Sequence, residues 1–221
     1  MKVGLPLISV LVVDDHELVR SGITALLADA NGIEVVGQAQ SGEEAIQFAK
    51  DHEPDVILMD VQMPGIGGLE ATRKITRSNS DSRVIAVTQC DDNPFAQRLL
   101  QAGASGYITK GADAEEMITA ILKVQHGQKY ISPEIAQRMA LKPFQETGKN
   151  PFDELSEREM QISLMIVNCQ KAPEIGEKLF LSPKTVNSYR YRIFEKLGID
   201  GDVELTRLAI RYGLIDPNSL T

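Results

Sequence analysis

No apolar stretch in the 221-residue chain comes near the roughly 20 residues needed to cross a bilayer, and the opening MKVGLPLISVLVVDD meets acid before any cleavage-site pattern arises. A membrane span and an export signal are therefore not expected, and the chain reads as cytoplasmic. Cysteine is scarce: Cys90 and Cys169 stand far apart and outside any CxxC arrangement, which argues against a disulfide framework or a zinc knuckle and leaves two free, buried thiols. Histidine is equally thin. His52 and His126 stand alone, and His16, although beside acids, reads as an exposed loop residue rather than a metal ligand. Internal repeats and low-complexity segments are absent.

What remains is an ordinary globular composition, 43% hydrophobic, enough for two modest cores. The net charge of −8 taken alone argues against nucleic acid, but it is unevenly spread: −7 up to residue 130, +1 over 131–150 and −2 over 151–221. Within the last part, SPKTVNSYRYRIFEK carries Lys184, Arg190, Arg192 and Lys196 against the single acid Glu195. That local reversal outweighs the total.

Up to about residue 125, short aliphatic runs alternate with segments of helical periodicity, five times over. Strands are expected at 8–13, 33–39, 56–59, 84–87 and 106–108, and helices near 17–29, 42–51, 67–78, 94–102 and 112–125. Several strands are apolar throughout, as in parallel strands covered on both faces. The prediction is an α/β unit, a doubly wound (βα)5 sheet. A short helix is expected within ISPEIAQRMALK, and PFQETGKNPFDE has linker composition. Four helices follow, near 156–168, 172–179, 183–196 and 202–212. Ser156 with Glu159 forms a capping box, and Ser182 caps a helix whose first position is Pro183.

DVILMD delivers a buried strand onto Asp60, and ISVLVVDD does the same onto Asp14 and Asp15. In an open parallel sheet, ligands gather beyond the carboxyl ends of the strands, where chain order reverses. Asp14, Asp15, Asp60, Thr88 and Lys110 all leave strands at that edge. Carboxylates this close repel by roughly 4 kcal/mol per pair at 4 Å and an effective dielectric near 20, a conflict that a hard cation such as Mg²⁺ removes. Asp60 then has the position of a nucleophile for a phosphoryl group, with Lys110 and Thr88 meeting its oxygens. PGIGG lacks nucleotide-loop spacing and reads as a tight turn beneath the acid.

VVDDH, LMDVQMPGIGGLEA, AVTQCDD and GYITKG resemble the receiver domain of two-component response regulators. The resemblance implies a flavodoxin-like receiver over residues 1–126, with Asp60 as phosphoacceptor. It also implies Mg²⁺ on Asp15, Asp60 and the carbonyl of Gln62, Asp14 assisting through water, Lys110 on the phosphoryl group, and Thr88 with Tyr107 as a switch pair. Gln89 replaces a customary small residue, which bears on the lifetime of the phosphorylated state. Gly111 stands where many receivers have proline.

Ala172–Leu179 and Pro183–Lys196, joined through LFLS, form a helix-turn-helix candidate. Val186, Ile193, Phe194 and Leu197 recur at inward spacings. Lys184, Thr185, Asn187, Ser188, Arg190, Tyr191 and Arg192 are the expected DNA-binding face. LSEREMQI, EIGEKLFLSPKTVNSYRYRIFEKLGI and DVELTRLAIRYGLI resemble the LuxR-type helix-turn-helix of the NarL/FixJ response regulators, in particular the GacA/UvrY type. This implies a connector at 127–152, an all-α DNA-binding domain at 153–221 and dimer contacts through the last helix. It further implies double-stranded promoter DNA, a GacS/BarA-like sensor histidine kinase and RNA polymerase as partners, and promoters of regulatory RNAs among the targets. Two rivals stay open. One is an aspartyl-phosphate hydrolase, although Gln62 occupies the place of its usual second acid; the other is a protein-binding helical module.

Overall fold

Strands that are apolar at every position can be stable only where both sheet faces are covered. The computed structural model describes residues 7–63, 65–78, 81–88, 95–141, 150–212 and 214–215. Its parallel sheet has the order β2-β1-β3-β4-β5-β6, with β1 Ile8–Val13, β2 Ile33–Ala39, β3 Val56–Asp60, β4 Arg83–Thr88, β5 Gly106–Thr109 and β6 Tyr130–Ile131. β3 is buried throughout and β4 at every position but its first, whereas the edge strand β2 has exposed residues at alternate positions. Successive side chains divide between the faces. Val10 and Val12 pack with Ile23 and Leu27 of α1 (Glu17–Ala28) and Met117 and Ile121 of α5 (Ala114–Gln125). Leu11 and Val13 pack with Ala45 and Ala49 of α2 (Gly42–His52) and Ile75 of α3 (Gly67–Arg77). Full burial of each such aliphatic side chain stabilises by roughly 1.5–3 kcal/mol.

Caps fix the helix starts. The Ser41 hydroxyl accepts from the Glu44 N–H, and Asp113 accepts from Glu116 N–H at 2.8 Å, so α5 begins at Ala114 rather than at 112. The sixth strand was not expected, because two residues are too few for a periodic signal. Its main chain is held where Tyr130 N–H donates to Ser105 and Ser132 N–H to Tyr107.

Beyond α4 (Phe95–Gln101) and α6 (Pro133–Leu141), a 3-10 turn at Pro151–Glu154 leads into α7 (Glu157–Val167), α8 (Ala172–Leu179), α9 (Pro183–Leu197) and α10 (Asp202–Arg211). The capping box closes as expected, with Glu159 Oε2 accepting from Ser156 N–H at 2.8 Å and Ser156 Oγ from Glu159 N–H at 3.3 Å. Phe152, in the stretch of linker composition, is fully buried among Met160, Ile162, Val186, Ile193 and Leu205. That apolar cluster continues through Val61, Leu69, Leu99 and Tyr107 into the side of the sheet unit that carries α3 and α4. Arg98 of α4 fastens the junction by donating to the carbonyls of Phe152 and Leu155, at 2.7 and 3.0 Å.

The expected burial of Cys169 is not found. It follows α7 in a left-handed conformation, φ 59°, where the closing turn points its side chain outward, and it is a free, exposed thiol. Cys90 lies outside the described residues.

Replacing Phe152 by Ala should cost about 3–5 kcal/mol, read from the denaturant midpoint of the whole chain. A loss below about 1 kcal/mol would show that this ring does not anchor the helical unit.

Candidate functional site

From β1 the chain steps to β2 on one side, and the other neighbour of β1 is β3, so the sheet's crevice opens above the ends of β1 and β3. Asp14 follows β1 directly, Asp60 is the last residue of β3, Thr88 the last of β4, and Lys110 follows β5. Asp14, Asp60 and Thr88 are each no more than 2% exposed. Lys110 joins the two acids, its Nζ lying 2.6 Å from Asp14 Oδ2 and 3.0 Å from Asp60 Oδ2. Gln62 N–H donates to Asp60 Oδ1 at 3.2 Å and His16 N–H to Asp14 Oδ1 at 2.8 Å. Arg20 donates to the Asp14 carbonyl at 2.6 Å.

Glycine shapes the floor of this crevice. Gly65 and Gly67 have φ of 84° and 71°, and a Cβ on Gly68 would stand 1.9 Å from the Asp60 carbonyl oxygen. The turn read from PGIGG therefore lies directly against the acid; Pro64 itself falls outside the described residues.

Burial pushes the Asp60 carboxyl up to about 7, helped by the neighbouring Asp14, while Lys110 and the Gln62 N–H pull it down. Burial works against the charge on Lys110, but Asp60 and Asp14 outweigh it and hold the ammonium above its usual range. Asp14, Asp15 and Asp60 thus face the Lys110 ammonium, with the Arg20 guanidinium beside the Asp14 carbonyl. Asp14, Asp15 and His16 offer ligand atoms within 4.8 Å of one another, and His16 Nδ1 lies 2.9 Å from Asp15 Oδ1. The oxygen-rich set suits a hard cation, and the half-exposed imidazole serves it as a hydrogen-bonding neighbour.

The second candidate surface is α9. Ser182 Oγ accepts from Thr185 N–H at 3.1 Å, and Pro183 opens the helix. Val186 and Ile193 are buried, and Phe194 and Leu197 are partly buried against the same cluster. Lys184, Ser188, Tyr191 and Arg192 are exposed, and Thr185 and Asn187 are partly so. The Arg192 guanidinium lies over the Tyr189 ring at 4.7 Å. Arg190, expected on the DNA face, is part-exposed, ion-paired with Asp202 at the start of α10, and lies over Phe194. The acid in the first turn of α10 draws it there.

The profile of response regulator receiver domains matches residues 10–122, and that of the luxR family of bacterial regulatory proteins matches residues 153–209. This chain is a two-component response regulator. It is 63% identical over 210 residues to response regulator GacA of Pseudomonas protegens, covering 95% of this chain and 99% of that one. Over 216 residues it is 56% identical to response regulator UvrY of Escherichia coli K12, covering 97% and 99%. Among solved structures it resembles ChrA, a response regulator of a heme-sensing two-component system, at a TM-score of 0.55 and 28% identity over 96% of this chain and all of that one. Salmonella typhimurium RcsB shares the fold at a TM-score of 0.72 and 21% identity, covering 92% and 96%. The class is that of DNA-binding transcriptional regulators rather than enzymes.

In this response regulator the five residues expected at the strand ends are gathered at one edge, and Tyr107, expected as a switch residue, lies inside at 1% exposure. Gln89 lies outside the described residues. Sequence reasoning missed the contacts between the two units. Gln62 Nε2 donates to the Leu214 carbonyl at 3.0 Å, and Gln170 Nε2 to the Gly65 carbonyl at 2.9 Å. A narrow cleft beside them is lined by Asp15, Gln62, Gly67, Leu164 and Ile215. Nothing in either glutamine's local sequence announces a partner more than 100 residues away.

Because the folded value of Asp60 lies above its ordinary one, the folded state holds that proton between about pH 4 and 7, where the unfolded chain has lost it. The stability this contributes is complete below about pH 4 and gone above about pH 7. With a chelator present, Asp60→Asn should therefore gain about 2–4 kcal/mol on the parent protein as pH rises from 4 to 8, measured by urea unfolding at each pH. A constant difference across that range would remove the assigned cause.

Proposed function

We propose that Asp60 is the phosphoacceptor of this response regulator and that its phosphorylation controls DNA binding by α9. Support for the first part comes chiefly from one observation: a single ammonium, Lys110, reaches both Asp14 and Asp60 at the switch point of the sheet. A sensor histidine kinase, GacS/BarA-like by family resemblance, donates the phosphoryl group; its nitrogen–phosphorus bond breaks as a bond to an Asp60 carboxylate oxygen forms. Asp14, Asp15, Asp60 and the Gln62 carbonyl would hold Mg²⁺. Bound there, that ion offsets the charge on the phosphoryl oxygens. Lys110 neutralises a further oxygen, and Thr88 supplies a hydroxyl from the next strand end. Tyr107, on the same side of the sheet as α4, accompanies Thr88 in the switch.

The receiver spans 1–126 in this reading, the connector 127–152 and the DNA-binding domain 153–221. The connector is tied to the receiver by Tyr130–Ile131 and to the helices by Phe152. Asp60 and its loop lie beside Gln62 and Gly65, which hold Leu214 and Gln170 of the other domain. Charge added at Asp60 reshapes that loop, loosens these bonds and repositions α9. A homodimer joined through α10 then presents two such helices to half-sites about one turn of DNA apart. Lys184 and Arg192 meet phosphates; Thr185, Asn187, Ser188 and Tyr191 face base edges; Arg190 positions α9 through Asp202. RNA polymerase is the partner at the promoter, and genes for regulatory RNAs are among the targets. No helix among the described residues is long and apolar enough to cross a membrane, in keeping with a cytoplasmic regulator.

Incubation with labelled phosphodonor and Mg²⁺ should place label on the parent protein and none on Asp60→Asn, with both folded by circular dichroism. Label retained by that variant, or turnover of a phosphomonoester, would overturn the assignment. On DNA, Lys184→Ala should weaken binding evenly across sequences and lower the slope of log K against log salt by about 1. Binding that ignores salt would point to a protein-binding module instead.

A further inference from the structure

The turn between α8 and α9 is closed tightly. Leu181 N–H donates to the Gly176 carbonyl at 2.8 Å, and a Cβ on Gly176 would stand 2.6 Å from the Leu181 oxygen. Arg158 donates to the Leu179 carbonyl at 2.8 Å, Leu179 is buried, and Leu181 packs against the core. With both neighbours fixed, Phe180 is left in the left-handed region, φ 55° and ψ 44°, with its side chain 90% exposed. Glycine or asparagine occupies such a helix-terminal position without penalty; phenylalanine does not. Neither the backbone conformation nor the bare ring stabilises the fold, and strain that the surroundings enforce points to a role at a site.

We propose that Phe180 is an apolar DNA anchor that seats against the methyl group of a thymine at the edge of the major groove. The inference rests on the reading of α9 as the recognition helix. In a helix-turn-helix the N-terminal residues of the second helix meet the base edges. Phe180 precedes the cap Ser182 by two residues, so at most about 7 Å of chain separates them. Its ring carries no charge and no hydrogen-bonding group and therefore cannot serve a phosphate. The apolar feature that the major groove offers to such a ring is the thymine C5-methyl.

Phe180→Gly and Phe180→Asn both keep the left-handed backbone and should hold or raise the melting temperature. The probe is a duplex recovered by the parent protein from a random pool, together with copies in which each thymine is replaced in turn by uracil, which lacks the methyl. Both variants should bind the duplex roughly five- to twentyfold more weakly, with the salt slope unchanged because no phosphate contact is lost. One uracil per half-site should cost the parent protein a comparable factor and cost the variants nothing. Variants that bind as well as the parent protein, or a loss that couples to no thymine position, would overturn the proposal; the latter would redirect the ring to a protein partner. Were α9 not the recognition helix, the parent protein would recover no duplex in a salt-dependent manner, a distinct failure.

Discussion

The ammonium of Lys110 between Asp14 and Asp60 is the contact on which the rest of this molecule turns. Two carboxylates buried to 2% exposure or less repel each other and are costly to keep out of water. The part-buried Lys110 ammonium makes the arrangement tolerable, while Asp15 adds a third acid at the same edge. The oxygen-rich donor set at this edge suits a hard cation. Strand order brings this about. Only at the switch point do the ends of β1 and β3 lie side by side, and there Asp14 and Asp60 emerge from strands that are otherwise apolar.

The same loop that carries Asp60 also faces the helical domain. Gly68 must be glycine for α3 to start against the Asp60 carbonyl, and Gln62 and Gly65, a few residues earlier, hold Leu214 and Gln170. An apolar cluster running from Leu69 and Leu99 through Phe152 to Ile193 connects the face bearing α3 and α4 with the core beneath α9. Asp60 and the contacts that hold the helical domain thus share one short stretch of backbone. The interface combines this apolar packing with side-chain to backbone hydrogen bonds, polar contacts of a kind that a change of charge can shift.

Much of this was legible in the sequence because its signals are local. Uninterrupted aliphatic runs mark buried parallel strands, Ser156 with Glu159 and Ser182 with Pro183 mark helix starts, and acids at the ends of such runs mark one shared edge of the sheet. What escaped has no local signal. β6 is two residues long and is defined by bonds to Ser105 and Tyr107; Phe152 looks like linker and is core; the pairing of Arg190 with Asp202 joins residues of two different helices. Cys169 was misjudged because thiols are usually buried, whereas the end of α7 turns this one outward.

The central claim, that Asp60 sits in a buried acidic pocket suited to a cation, is tested most directly by carbon NMR of its side-chain carboxyl through a pH titration, with Asp60→Asn to assign the signal. In chelator the midpoint should fall near 7, and saturating Mg²⁺ should move it to well below 5. A midpoint near 3.8 under both conditions would contradict the account.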